Sequence, residues 1–170
     1  FTIAAEQHGV ASYYRNTVIH FFLTHAIAEL ALVHMAQSEL HGVDVFRAEC
    51  ERLRDFFKFE FFYVPTDQFM VEVEQELERL DPDWVSQIDE PGGALNLFGR
   101  FTPRMAHGAL LPFVEAYRVV ADVLARQSAG EEIDEKECIQ QALGYGRQAY
   151  LQRRISSEAS IGKLLFGNGF

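Results

Sequence analysis

The sequence predicts a mainly α-helical domain with one short β-hairpin. Three observations predict it. Apolar residues recur at helical spacing along most of the chain. Residues that start or stop helices fall between those stretches, among them Ser12, Gly42, Asp44, Pro65, Thr66 and Asp81-Pro82. One interval breaks the helical period, where the Gly-rich DEPGG separates two short apolar segments. With 170 residues, 48% of them hydrophobic, and a mean hydropathy of −0.07, the chain is long enough for a real core and globular in composition.

Residues 12–38 read as one long helix. Ser12 is placed to cap it, and no Pro or Gly interrupts it before Gly42. The run TVIHFFLTHAIAELALV is apolar nearly all round, which suits a central core helix or one lying on another apolar surface. His20, His25 and Glu29 argue against a free membrane span. HGVD is a turn, with Asp44 as cap for a helix over about 45–58. In DFFKFEFFYVP, alternation puts Phe57, Phe59, Phe61 and Tyr63 on one side of a strand. Helical spacing serves Leu53, Phe57 and Phe61 equally well, and Pro65 ends the segment under either reading. The acidic groups that interrupt this stretch favour core over a membrane-facing patch.

Thr66-Asp67 open a helix with Phe69, Val73, Leu77 and Leu80 on one stripe, closed by Asp81-Pro82. Residues 84–88 and 94–98 read as the two strands of the hairpin, and helix plus hairpin suggests a winged-helix-like corner. Residues 102–126 form a helix with Ala106, Leu110, Phe113, Tyr117, Val120 and Leu124 on one face. Pro103 suits its first turn, and Pro112 predicts a kink or break. SAGEEID is a polar loop. An amphipathic helix over 135–152 follows, through Ile139, Ala142, Leu143 and Tyr150, and a last short one over 156–166. The chain opens without Met and closes on KLLFGNGF after an apolar pattern, so it reads as a piece of a longer polypeptide.

Charge and motifs narrow the function. A net charge of −10 is a poor match for a nucleic-acid backbone, and the winged corner is expected to pack rather than read DNA. Cys50 and Cys138 stand far apart with no CxxC spacing, which excludes a zinc ribbon and fits a reducing compartment. His25 and Glu29 are spaced to pair, but no HExxH or ExxH motif supports a metal site. GYGRQ holds a GxG inside a helical pattern and carries no dinucleotide signal. Arg147, Gln152–Arg154 and Lys163 form a basic cluster, read first as a solvated helix terminus and second as a contact for anionic lipid.

On the first helix, Tyr13, Asn16, His20 and Thr24 share a face and make a polar stripe on an apolar cylinder. Either this stripe is satisfied within the domain, or it and Arg15 face another domain or a cleft holding an anion.

Taken in order, YYRNTVIHFF, LRDFFKFEFF, LLPFVEAYRVVADVL and LQRRISSE resemble the C-terminal region of bacterial membrane-associated glycerol-3-phosphate acyltransferases, in particular the actinobacterial type. The resemblance covers most of the chain. It implies a helical domain that packs on an upstream α/β acyltransferase domain. That upstream domain would transfer an acyl group from acyl-CoA or acyl carrier protein to the sn-1 hydroxyl of glycerol 3-phosphate, in phospholipid synthesis. It implies no cofactor beyond the acyl donor, no covalent enzyme intermediate, and a peripheral position on the cytoplasmic side of the cell membrane.

The family's reaction centre is an HxxxxD motif, its His acting as general base and its Asp orienting it. Five residues after His8, His20, His25, His34, His41 and His107 stand Tyr13, His25, Leu30, Glu39, Phe46 and Pro112, so the motif is absent from residues 1–170. The family's phosphate-binding GxxFxRR pattern is absent too. The resemblance therefore places catalysis upstream and offers Tyr14, Arg15, Asn16 and His20 as interface or cleft-lining residues. Two other readings remain: a relative that acylates dihydroxyacetone phosphate, and a non-catalytic helical interaction module.

Overall fold

In the computed structural model, which describes residues 7, 18–102, 104–127 and 134–170, every regular element is helical. A 3₁₀ turn, Ile19–Phe21, leads into α1 (Leu23–Gln37), α2 (Val43–Phe56), α3 (Thr66–Leu80), α4 (Trp84–Ile88) and α5 (Gly93–Arg100). There follow α6 (Ala106–Leu124), α7 (Glu135–Leu151), a second 3₁₀ turn, Glu158–Ser160, and α8 (Lys163–Gly169). The described residues divide into two compact units, one within Tyr14–Ala109 and one chiefly within Leu110–Phe170. Helix α6 gives its first turn to the former and the rest to the latter.

In the Tyr14–Ala109 unit, α1 is central because it is buried on almost every side. Ala26, Ile27, Ala28, Ala31, Leu32 and Met35 are fully enclosed, and α2, α3 and α5 pack around them. The alanines let the neighbouring backbones approach closely, and the helix retains the high propensity of Ala and Leu. It ends in a Schellman turn, with the Leu40 amide donating to the Met35 carbonyl (2.8 Å) and Glu39 in the left-handed region where glycine is usual. The helix expected over 12–38 is interrupted between Val18, which is helical, and Leu23, where α1 begins. Residues 19–21 wind as 3₁₀, in a stretch of β-branched and aromatic side chains with poor helix propensity. Ser12, the expected cap, lies outside the described residues.

Helix α2 turns Phe46, Cys50 and Leu53 inward, and the buried Phe57 continues that stripe at its C-cap. No strand follows. Residues 57–60 are turn, so Phe57 enters the core while Phe59 and Phe62 stand out on the surface. The helical spacing of Leu53 and Phe57 is therefore correct, and the single core-facing stretch over 56–63 is not. The turn's base is fixed by Arg54, which donates to the Val64 carbonyl (3.2 Å) and lies over the rings of Tyr63 and Phe69. Asp44 does not cap α2. The Asp89 carboxylate reaches across to accept from the Val43 amide (3.2 Å).

The β-hairpin is absent, and with it the winged-helix-like corner: residues 84–88 and 93–100 are both helical. Trp84 and Ile88 are buried one turn apart, as are Ala94 and Leu97. The Gly-Gly between them makes a close helix–helix corner rather than a strand-to-strand turn. Gly92 has φ +79, and a Cβ on Gly93 would lie 1.6 Å from the Gln87 carbonyl oxygen. Asp81 anchors the corner. Its carboxylate accepts from the Asp83 amide (2.9 Å), from the Gln87 side chain, and from the Arg100 guanidinium. Those partners hold its pKa below the usual carboxylate value, the Asp83 amide contributing most.

The Leu110–Phe170 unit is built on a second core of Ala116, Val119, Val120, Val123, Ala142, Ala149, Ile155 and Phe166. Asp134 caps α7 by accepting from the amides of Lys136 and Glu137. The GxG of GYGRQ lies within α7, where Gly146 leaves room for the Phe166 ring. Pro112 sits inside α6 without ending it, so of the expected kink or break the break does not occur. That helix begins at Ala106 rather than near Thr102. The final segment is a 3₁₀ turn and then α8, not one helix from residue 156. It is held by Glu115, buried on α6. Its carboxylate accepts from the amides of Ser156 (2.6 Å) and Ser157 (3.3 Å) and from the Ser160 hydroxyl (2.6 Å). The basic cluster is partly structural: Arg154 donates to the Tyr145 hydroxyl (2.6 Å), which itself donates to Asp122 (2.8 Å).

Candidate functional site

The Tyr14–Ala109 unit carries an open cleft of about 790 Å³. Three segments far apart in sequence form it. Residues 18–22 supply Val18, Ile19, His20, Phe21 and Phe22, and α1 supplies Thr24 and His25 behind them. Helix α3 supplies Glu72, Gln75, Glu76 and Arg79, and the approach to α6 supplies Thr102, Met105, Ala106 and Ala109. The helical pitch explains the α3 wall: its Phe69–Val73–Leu77 stripe faces the core, which turns the row Glu72, Gln75, Glu76 and Arg79 toward the cleft.

The rim is markedly apolar. Phe21 is 75% exposed, Met105 70%, Phe22 50% and Val18 44%. The polar side of the cleft is acidic. Arg79 donates to Glu76 Oε1 (2.5 Å), so the cleft's guanidinium is already bound to one of its two carboxylates.

At the back of the cleft, His25 is held between two carboxylates. Its Nδ1 lies 3.2 Å from Glu76 Oε2 and its Nε2 lies 3.5 Å from Glu29 Oε1. The edge of the ring meets Phe101. A neutral imidazole has one N–H to give, so it donates to one carboxylate, and only the protonated ring donates to both. The Nδ1–Glu76 contact is within hydrogen-bond reach, whereas Nε2 faces Glu29 Oε1 at ion-pair distance without a hydrogen bond, so His25 links α1 to α3 at the back of the cleft. Glu29 is fully buried and also binds the start of α6, accepting from the His107 amide (2.8 Å) and pairing with its Nδ1 (2.6 Å). This is a helix cap supplied by another helix. Among the described residues no three His, Cys, Asp or Glu side chains gather as a metal site.

Of the residues singled out in the sequence, His20 lies on the cleft wall, exposed, with its ring 4.0 Å from that of Phe21. Thr24, on the same predicted stripe, lines the cleft as well. Tyr14, Arg15 and Asn16 lie outside the described residues. The His25–Glu29 pair forms as its spacing suggests. Sequence reasoning missed Glu72, Glu76, Arg79 and Met105. Their one available signal was the polar face of α3, which reads as ordinary solvated surface.

Comparison with known proteins adds what the geometry lacks. Residues 1–170 match the family described as "Glycerol-3-phosphate acyltransferase C-terminal region". The chain is 35% identical to candidate acyltransferase plsB1 of Mycobacterium bovis and to its counterparts in two strains of Mycobacterium tuberculosis. Each alignment covers 96% of this chain and 27% of the mycobacterial protein, so the chain spans about a quarter of the length of these relatives. No solved structure is a significant match.

Proposed function

The chain belongs to the family of glycerol-3-phosphate acyltransferase C-terminal regions, and from that premise we propose that its parent polypeptide is a glycerol-3-phosphate acyltransferase. Residues 1–170 are its carboxy-terminal helical part. The observation that carries this reading is one of extent: the family match runs over every residue, 1–170, while the same stretch is only 27% of the relatives' length. A match of this extent supports a region that is part of a larger enzyme.

In the proposed reaction the sn-1 hydroxyl of glycerol 3-phosphate attacks the thioester carbonyl of acyl-CoA or acyl carrier protein. The new ester forms, the C–S bond breaks, and the thiol leaves with the proton that the hydroxyl lost. A His-Asp pair in the upstream domain removes that proton. Within residues 1–170 the proposed role is docking and support, with Tyr14, Arg15, Asn16 and His20 offered as interface or cleft-lining residues. The exposed, apolar surroundings of His20 support that role.

The enzyme is proposed to act as a peripheral protein on the cytoplasmic side of the membrane. Among the described residues no helix is long and apolar enough to cross a bilayer. The turn that exposes Phe59 and Phe62, with Lys58 over the Phe59 ring, is the element proposed to meet lipid.

The test is acyl transfer by the intact parent protein with labelled acyl-CoA, offered glycerol 3-phosphate and dihydroxyacetone phosphate in turn. Formation of 1-acylglycerol 3-phosphate is expected. Transfer only to dihydroxyacetone phosphate would move the protein to the related branch, and transfer to neither acceptor would end the proposal.

A further inference from the structure

We infer that the cleft of the Tyr14–Ala109 unit seats an apolar segment of the parent polypeptide that precedes residue 1, a segment carrying a lysine or arginine set against Glu72. The inference rests on the reading above only in requiring that the parent extends before this region. Four observations carry it.

The first is shape. A concave volume of about 790 Å³ falls within the range of roughly 300–1,000 Å³ that encloses a sizeable ligand, and it has room for several apolar side chains. The second is the rim. Phe21, Phe22 and Met105 surround the opening and stand largely in water, an arrangement that marks an interaction site rather than scattered surface hydrophobes.

The third is charge. Glu72 and Glu76 face an occupant with Arg79 already bound to Glu76. Glu76 is engaged by Arg79 and His25 while Glu72 accepts from the neutral Gln68 side chain, so beside Glu72 an anionic group meets repulsion and a cationic side chain among apolar ones is complementary. The fourth is tether length. The wall at residues 18–22 lies within 22 residues of Phe1, and the mycobacterial relatives devote 27% of their length to this region. The family description makes this region C-terminal, so the greater part of such a polypeptide precedes it and is joined to the cleft in the same chain, which raises its local concentration above that of a free partner.

The experiment uses the full-length parent with a benzophenone photo-cross-linking side chain at position 105, replacing Met105, and a second version with it at exposed Leu151 for comparison. Cross-linked peptides are identified by mass spectrometry in a mixture of isotopically light and heavy protein, with and without phospholipid vesicles. The expected result is cross-linking from position 105 to peptides that precede residue 1 of the same polypeptide, well above that from position 151. The Glu72→Arg change is expected to lower the yield by about threefold or more, through like-charge repulsion.

Light–heavy cross-links between two copies, cross-links to lipid, or a yield no higher than at position 151 would each overturn the inference. Acyl transfer is measured on the same preparations. Cross-linking without acyl transfer keeps the docking site and removes the acyltransferase reading, and acyl transfer without cross-linking does the reverse.

Discussion

Two buried carboxylates do more for this chain than any of its surface ion pairs. Glu115 accepts two backbone amides and one hydroxyl from the segment that follows α7, so removing it leaves three polar groups without an acceptor. We expect Glu115→Ala to cost about 3 kcal/mol or more in urea unfolding, and Glu115→Gln, which keeps one acceptor oxygen, about 1 kcal/mol. Equal effects of the two changes would show that the carboxylate does not organise this segment.

Asp81 plays the corresponding part at the junction of α3, α4 and α5, and it makes a pH prediction. Its folded-state pKa is depressed, so the native state holds the ionised form more strongly than the unfolded chain does. That contribution is complete above the unfolded value of about 4 and is lost as pH falls through the lower folded value. Thermal melts of the chain and of Asp81→Asn should therefore differ at neutral pH and converge below about pH 4. A gap between them that stayed constant into acid would refute the assignment.

At the scale of elements, legibility followed periodicity. Helix α3 was readable to its ends, because Thr66 and Asp81-Pro82 bracket a clean Phe69–Val73–Leu77 stripe. The pair α4 and α5 was not, because five- and eight-residue helices show too little period to tell from strands, and Gly-Gly signals a hairpin as readily as a corner. What decides the matter is the approach of Gly93 to the Gln87 carbonyl, a tertiary fact with no trace in the local sequence. Gly92→Ala, with open space around its Cβ but a left-handed backbone, should cost about 1 kcal/mol. Gly93→Ala should cost several times as much, read from the same denaturation curves, because the clash is with backbone that cannot rotate away. Similar losses at the two positions would mean that the corner is looser than described.

The aromatic run of residues 56–63 was ambiguous for a different reason. Phe is equally at home in a core and on a partner surface, and only the end of α2 at Phe56 separates the buried Phe57 from the exposed Phe59 and Phe62. The candidate cleft was legible in part. His20 and Thr24 fall on the polar stripe of the first segment, whereas the α3 wall and Met105 reach the cleft only through tertiary assembly.

For the whole molecule, a net charge of −10 and two compact units with their own cores are what the chain brings to the proposed supporting role. If the turn with Phe59 and Phe62 meets lipid, the Phe59→Ser, Phe62→Ser parent should sediment less with neutral phosphatidylcholine vesicles, with its melting temperature unchanged. Undiminished sedimentation would place the lipid contact elsewhere. The central claim, that these 170 residues belong to the working acyltransferase, is tested most directly by acyl transfer to glycerol 3-phosphate by the parent protein, intact and with the region removed. An active intact protein and a folded but inactive truncated one is the predicted result. Full activity in the truncated protein would contradict it and reduce the region to an appendage.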